Sequence, residues 1–165
     1  MAVSFLLDMH GVPGESLDDN GAFNAKIEVD GWSFGQSQSG VMQAGTGRTA
    51  GKVSVQDFTF NKHTCMSSPK LLEACATGEH IEKATLIARR TGLTAGGLTP
   101  YLRVEFTDLI ISSYHTSGSA GDSGLPAEHI SFNFAKIEYQ YTPQDQGKPL
   151  GTLRASYDLK TSQSG

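Results

Sequence analysis

The sequence has few cysteines and no long apolar run, and both absences narrow the classes of protein to which it can belong. Its 165 residues include only two cysteines, Cys65 and Cys75, which have neither CxxC spacing nor a secretory context. A disulfide-stapled scaffold is therefore excluded, and both thiols are expected to be reduced. No apolar stretch approaches the roughly 20 residues that a bilayer-spanning helix needs.

The sequence also lacks a Sec-type leader and a basic patch. Its N-terminal segment has no positively charged region, and the first apolar stretch ends at Asp8. If the protein leaves the cell, we expect a route that reads no cleavable signal. The chain contains 13 lysines and arginines and 17 acidic residues, which gives a formal net charge of −4. A nucleic acid partner is not expected, because phosphate binding requires clustered lysine and arginine.

We expect the chain to form a single domain, 1–165. Its one convincing helix signal spans about residues 69–77. Ser68 can serve as the N-cap, Pro69 suits the first helical position, and Gly78 suits the left-handed stop. A 3.6-residue period then defines an apolar face that needs a sheet to cover it. The side chains predicted on this face are Leu71, Leu72 and Cys75.

Three predicted strand segments change the parity of their apolar residues midway. The apolar positions change from Ile27 and Val29 to Trp32 and Phe34, from Val53 and Val55 to Phe58 and Phe60, and from Ile130, Phe132 and Phe134 to Ile137, Tyr139 and Tyr141. Such a change requires a bulge or a sharp bend, because side chains alternate between the two faces of a strand. Strands that turn corners and serve two layers predict a mainly β fold, a compact barrel of two antiparallel sheets with one short helix.

Residues 35–51 form a long Gly/Ser-rich segment whose only charged residue before Lys52 is Arg48. Long loops in compact domains are usually functional or disordered. Val41 and Met42 at its centre are apolar and would be unfavourably exposed to water, so a neighbouring chain is expected to bury them. The polar tail, residues 161–165, is expected to be frayed.

The sequence offers no convincing catalytic constellation. Gly121-Asp-Ser-Gly124 resembles the surroundings of a serine protease nucleophile at Ser123, but Leu125 replaces the next glycine of that signature. The segment from Gly45 to Lys52 resembles two phosphate-binding signatures and satisfies neither. A P-loop would need glycine at Thr46 and Ser or Thr at Val53, and a dinucleotide site would need a helix where this segment opens a strand. Scattered histidines and cysteines show no metal-ligand spacing on a common helix face. We therefore predict no enzyme activity, no cofactor and no metal.

Several blocks in series carry a resemblance to a known family. The segment Gly51-Lys-Val-Ser-Val-Gln-Asp-Phe-Thr-Phe-Asn-Lys62, followed by Ser68-Pro-Lys-Leu-Leu-Glu-Ala-Cys-Ala-Thr-Gly78, resembles the haemolysin-coregulated protein (Hcp) family of bacterial type VI secretion systems. The likeness continues through Gly14-Glu-Ser16, Ile27-Glu-Val29, Trp32-Ser-Phe34-Gly35, Ser131-Phe-Asn-Phe-Ala-Lys-Ile-Glu138, Tyr141-Thr-Pro143 and Tyr157-Asp-Leu-Lys160. It spans nearly the whole chain.

The resemblance implies a β-barrel with one flanking helix that assembles with itself into a homohexameric ring. Such rings stack into the inner tube of a contractile sheath on a baseplate. Contraction expels the tube, tipped by a trimeric spike protein, from the bacterial cytoplasm into a neighbouring cell. The lumen also carries effector proteins. These properties imply a secreted protein with a role in bacterial competition and virulence.

Two further expectations concern the long loop and the alternatives. The loop residues predicted to mediate ring stacking or subunit contact are Ser37, Gln38, Val41, Met42, Gln43, Arg48 and Thr49. Such a segment recovers its ordering entropy when it binds a neighbour. The residues leave open a small β-sandwich module that binds a ligand or carbohydrate, and a hydrolase that uses Ser123 or an unrecognised carboxylate pair.

Overall fold

The structure is a computed structural model in which most of the chain is described. The described residues are 3–17, 21, 23–43, 47–49, 53–91, 98–121, 124–145, 148–161 and 163–164. They form one helix, α1 (Ser68–Thr77), and fifteen strands. The strands are β1 (Val3–Met9), β2 (Ile27–Val29), β3 (Gly31–Ser33), β4 (Gln36–Gln38), β5 (Val41–Gln43), β6 (Gly47–Thr49), β7 (Val53–Val55), β8 (Phe58–His63), β9 (His80–Thr91), β10 (Leu98–Ser117), β11 (Ala127–Tyr141), β12 (Gln144–Asp145), β13 (Lys148–Pro149), β14 (Leu153–Asp158) and β15 (Gln163–Ser164).

The main sheet closes on itself to form a barrel, as predicted. Antiparallel pairing runs from β8 to β11, then to β10, β9, β1 and β2. Strand β3 follows β2 after a single residue, Asp30, and pairs with β8, which completes the circuit. The amide of Asp30 donates a hydrogen bond to the carbonyl of Asn61 at 2.8 Å, so the corner between β2 and β3 stays tied to β8.

The parity changes have two structural origins. Strand β11 pairs with β8 through its first half and with β14 through its second, so it serves two layers as predicted. Opposite this bend, β10 turns at Asp108, which adopts a left-handed φ of 55°. The carboxylate of Asp108 holds the corner by accepting hydrogen bonds from His80 Nδ1 (2.8 Å) and Lys160 Nζ (2.6 Å). The change between Val55 and Phe58 instead marks the passage from an outlying hairpin, which contains β7, into the barrel.

Aromatic rings dominate the barrel core. Phe58, Phe106 and Phe132 are fully buried. The ring of Phe58 lies 4.8 Å from that of Phe106 and 5.0 Å from that of Phe132, measured between centroids. Trp32 is partly buried and stacks on Phe58 at 6.0 Å. These rings come from four strands, so they join distant parts of the chain around one centre.

The helix lies where predicted, but two details of its prediction are wrong. Ser67, not Ser68, is the N-cap, because the helix already begins at Ser68. The Ser68 hydroxyl faces inward and hydrogen bonds to buried charged groups. Leu72 is 55% exposed, whereas Leu71 and Ala74 are fully buried, so the helix is rotated relative to the predicted face. Gly78 ends the helix in the left-handed conformation, as predicted. Within the described residues, no helix has the length and apolar character that crossing a membrane requires.

The Gly/Ser-rich segment differs from the expected loop because much of its backbone is paired. Strand β4 pairs with β7, and β5 pairs with β6, so the two ladders form successive parts of one hairpin arm. Each ladder joins its two strands by backbone hydrogen bonds. The tail likewise contributes β15, which pairs with the end of β14 instead of fraying.

The segment Gly14-Glu-Ser16 packs tightly against the start of β2. A Cβ atom at Gly14 would lie 2.1 Å from the carbonyl oxygen of Lys26, so only glycine fits this approach. The Ser16 hydroxyl donates to the carbonyl of Phe23 and accepts from the amide of Lys26. Glu15 accepts a hydrogen bond from the amide of Met66 at 2.8 Å. This segment therefore connects the first turn both to β2 and to the approach to the helix.

Candidate functional site

The residues predicted to mediate stacking all lie on the hairpin arm. Ser37 and Gln38 belong to β4 and pair with Ser54 and Val53 of β7. The other members follow in the outer ladder, where the paired residues are Val41 with Thr49, Met42 with Arg48, and Gln43 with Gly47. The structure thus brings the seven residues together on one extended element. Their role in stacking remains a prediction.

A groove of about 620 Å³ runs between the base of the arm and the second half of the β11–β14 pair. Strand β4 forms one wall with three consecutive residues, Gln36, Ser37 and Gln38, and β14 contributes Ala155, Ser156 and Tyr157. The remaining lining residues are Phe34, Val53, Ile137 and Tyr139. The groove therefore has a polar wall at β4 and apolar or aromatic side chains among most of its other lining residues.

An exposed apolar strip continues from this groove along the same face of β11 and β14. Tyr139 and Tyr141 are 44% and 37% exposed, and Leu153, directly opposite Tyr141, is 66% exposed. Single exposed apolar residues are ordinary, but contiguous patches mark interaction sites. Tyrosine is also among the residues enriched where interfaces contribute most to binding. The groove and strip together form the best candidate for a protein contact surface.

A second cluster, buried at the junction of the helix with the barrel, consists of charged and polar side chains. Lys62 on β8 and Glu128 on β11 are 1% and 0% exposed, and Lys62 Nζ lies 3.2 Å from Glu128 Oε1. The Ser68 hydroxyl donates to Glu128 Oε2 at 2.8 Å, and the Tyr114 hydroxyl donates to Glu128 Oε1 at 2.9 Å. The cluster anchors the first turn of the helix to three strands. Each charge is buried with hydrogen-bonded partners, as burial requires.

The electrostatics of this cluster follow from burial and hydrogen bonding. Burial alone raises the pKa of Glu128, but hydrogen bonds from Ser68, Tyr114 and Lys62 outweigh it, so its net pKa is lower than usual. Burial and the hydrogen bond to Glu128 raise the pKa of Tyr114 to about 12. At neutral pH the carboxylate is therefore ionised and the phenol is protonated. This arrangement supports an anchor, since both carboxylate oxygens are already engaged.

Sequence analysis missed the Lys62–Glu128 pair, although a signal was present. Lys62 shares even-numbered parity with the buried residues Phe58 and Phe60, and Glu128 shares it with Ile130. A charged residue in register with a buried face must find a partner.

The Ser123 hypothesis falls outside the described residues. Among the residues that are described, no group of three or more His, Cys, Asp and Glu is placed to hold a metal ion.

Comparisons with known proteins agree on one family. The family described as "Type VI secretion system effector, Hcp" matches residues 6–141. The chain is 37% identical to "Protein hcp1" of Pseudomonas aeruginosa over 162 residues, which cover 97% of each chain.

Solved structures agree with this match. Hcp1 from Salmonella typhimurium is 33% identical, covers 100% of both chains and superposes with a TM-score of 0.80. A structure described as a type six secretion system protein has a TM-score of 0.90 at 29% identity, with 99% of this chain and 100% of that chain covered.

Proposed function

This chain belongs to the Hcp family of type VI secretion proteins, and from that membership we propose that it is an inner-tube subunit that assembles into hexameric rings. As a member of this family it is a structural protein rather than an enzyme. The rings stack into a tube within a contractile sheath, and contraction expels the tube together with a trimeric spike protein.

The observation that carries the ring proposal is the exposed apolar groove and strip on β11 and β14. A monomer leaves 44% of Tyr139 and 66% of Leu153 exposed to water, whereas a neighbouring subunit would cover them. A ring built by rotation uses a heterologous contact, in which one surface of each subunit meets a different surface of the next. The groove and strip provide one of these two surfaces.

The hairpin arm supports the stacking part of the proposal. The arm extends as two successive two-stranded ladders, and its inner strand β4 is exposed along all three residues. A two-stranded hairpin is marginally stable alone, so contact with another subunit would stabilise it. We therefore assign stacking to Ser37, Gln38, Val41, Met42, Gln43, Arg48 and Thr49, as contacts from one ring to the next.

Further partners follow from the tube role. A tube subunit meets the sheath, the baseplate and the spike, and its lumen can carry and protect effector proteins. It leaves the cytoplasm when the sheath contracts and so needs no cleavable leader.

The ring proposal is tested by the solution mass of the purified protein. Light scattering over a dilution series should give six times the 17.6 kDa of one chain, and negative-stain images should show rings. A protein that stays monomeric at every concentration would overturn the ring proposal and direct attention to the groove as a ligand site.

The stacking proposal needs a variant that shortens the arm without opening the barrel. Gln38 lies directly opposite Val53, so an Asn-Gly turn can replace residues 39–52 and close the remaining ladder. Rings should persist, while tube formation and secretion should be lost. Gln146→Asn provides the control, because it places Asn-Gly between the paired residues Asp145 and Lys148 without altering the arm. Secretion of the shortened variant at the wild-type level would contradict the role of the arm.

A further inference from the structure

We propose that His115 and His129 form a two-imidazole site for a divalent transition metal on the outer face of β10 and β11. The two residues are directly opposite each other in the antiparallel ladder. Both are exposed, whereas Glu128 and Ile130, on either side of His129, are fully buried. The histidines therefore share the solvent-facing side of the sheet. This site is independent of the proposed tube function.

The ladder sets a separation that suits chelation. Directly opposite residues of an antiparallel pair have Cβ atoms about 4.5–5.5 Å apart. Two imidazoles at that spacing can each direct one nitrogen to a common ion at about 2.0–2.1 Å. The described residues place no group of three or more His, Cys, Asp or Glu at a metal-binding distance, so water must complete the coordination. Imidazole favours zinc, copper and nickel over magnesium or calcium.

The side-chain amide of Asn61 orients one of the two histidines, His129. Asn61 lies opposite His129 on the other side of β11, and its Oδ1 is 2.6 Å from His129 Nδ1. A carbonyl oxygen only accepts hydrogen bonds, so Nδ1 carries the proton and Nε2 keeps its lone pair. Outer-shell contacts of this kind orient metal-ligating histidines. His129 is thus oriented by Asn61, while His115 has no hydrogen-bond partner among the described residues.

The other histidines of the chain are differently engaged. The chain has five histidines, and three of them face carboxylates: His63 with Asp30 at 2.7 Å, His80 with Asp108 at 2.8 Å, and His10 with Glu82 at 3.7 Å. Two outward rows flank the site along the same strands. One consists of Ser113, Ser131 and Thr59, which carry no charge, and the other consists of Ser117, Ala127 and His63, of which His63 is paired with Asp30. The bound species is therefore a metal ion that the two imidazoles can coordinate, and protons should compete with the ion for the imidazole nitrogens.

The test is a calorimetric titration of the untagged protein with Ni²⁺ at neutral pH. We expect one ion per chain, with binding weakened on acidification. His115→Ala and His129→Ala should each reduce the affinity by about tenfold or more, and Asn61→Ala by about tenfold, in the range known for outer-shell substitutions. His10→Ala is the matched control and should bind as the wild type does. Circular dichroism and solution mass of the same samples verify fold and assembly.

The electron paramagnetic resonance of substoichiometric Cu²⁺ provides a second readout. The wild-type spectrum should show two nitrogen ligands, and either histidine variant should show one. Wild-type affinity in both His115→Ala and His129→Ala would overturn the proposal, as would an equal loss in His10→Ala. These outcomes do not depend on whether the protein forms rings, so failure here leaves the tube proposal untouched.

Discussion

At the scale of single residues, the buried Lys62–Glu128 pair should not tolerate the loss of one partner alone. Removing one partner leaves an uncompensated charge in a site without water contact. We expect Lys62→Met to lower the free energy of unfolding by about 3–5 kcal/mol. The double variant with Glu128→Leu should recover most of this loss, because it removes both charges. Urea unfolding at one fixed protein concentration measures both effects.

The pH dependence of stability gives a second test of the Lys62–Glu128 pair. The pKa of Glu128 is lowered below its ordinary value of 4.5 in the fold. The pair therefore contributes stability above that value and loses it as the pH falls through the folded pKa. The wild type should lose stability below about pH 4.5 more steeply than the double variant. Equal slopes would show that the pair carries no net ionic stabilisation.

Tyr114 yields a prediction in the alkaline range. Burial and the hydrogen bond to Glu128 raise its pKa from 10.0 to about 12. The raised pKa means that its contribution to stability is present below pH 10 and is lost as the pH rises through about 12. Tyrosinate absorbance should therefore show a late titration step near pH 12 from Tyr114. Tyr114→Phe should remove that late step, and its persistence in the variant would contradict the assignment.

The pair also shows where residue-level sequence reasoning stops. Parity placed Lys62 on the buried face of its strand, so a buried lysine could have been inferred. Its partner is 66 residues away in sequence, and only the pairing of β8 with β11 brings the two together. Ser68 was predicted as a cap because serine favours that position. Its hydroxyl instead serves the distant carboxylate, a tertiary demand that local propensity does not contain.

At the scale of elements, two adjacent leucines of the helix separate packing from exposure. Leu71 is fully buried and Leu72 is 55% exposed. Leu71→Ala should cost about 2–5 kcal/mol of unfolding free energy, whereas Leu72→Ala should change it by at most about 0.5 kcal/mol. The pair serves as its own control, since both changes remove the same atoms from the same helix. Thermal or urea unfolding measures both variants. Similar losses of unfolding free energy in the two would contradict the observed rotation of the helix.

Elements were predictable where their signal is periodic. The parity changes at 27–34 and 130–141 revealed strands that turn corners, because alternation records which face meets the core. The helix boundaries followed from Pro69 and Gly78, whose backbone chemistry is local. Segment 35–51 has no apolar period, so its hairpin pairing left no trace in the sequence pattern. Backbone hydrogen bonds hold that arm, and every residue except proline can make them.

At the scale of the whole molecule, the barrel and the family were predictable from the sequence, whereas the exposed apolar strip was not. Many buried positions and several sequence blocks support the fold, so errors at single residues such as Leu72 do not alter it. The apolar strip became visible only when β11 and β14 were paired. In the sequence, Tyr139 and Tyr141 are indistinguishable from core residues such as Ile137, because all three share one parity. Exposure separates them, and exposure depends on what packs against each part of the strand.

That distinction allows the ring contact to be broken without damaging the barrel. In the double variant Tyr139→Lys with Leu153→Lys, charges enter a strip that the ring proposal buries, and a buried unpaired charge is strongly unfavourable. The solution mass should fall from that of six chains to that of one. The thermal unfolding of the monomer should change little, because both side chains are already exposed in it.

Leu17→Lys is the matched control, since Leu17 is 89% exposed and lies outside the strip. Its mass should equal that of the wild type. If the double variant still forms rings, the subunits meet through another surface. If the wild type itself is monomeric, the ring proposal falls whatever the variant does. The two failures are therefore distinct, because one concerns the location of the interface and the other its existence.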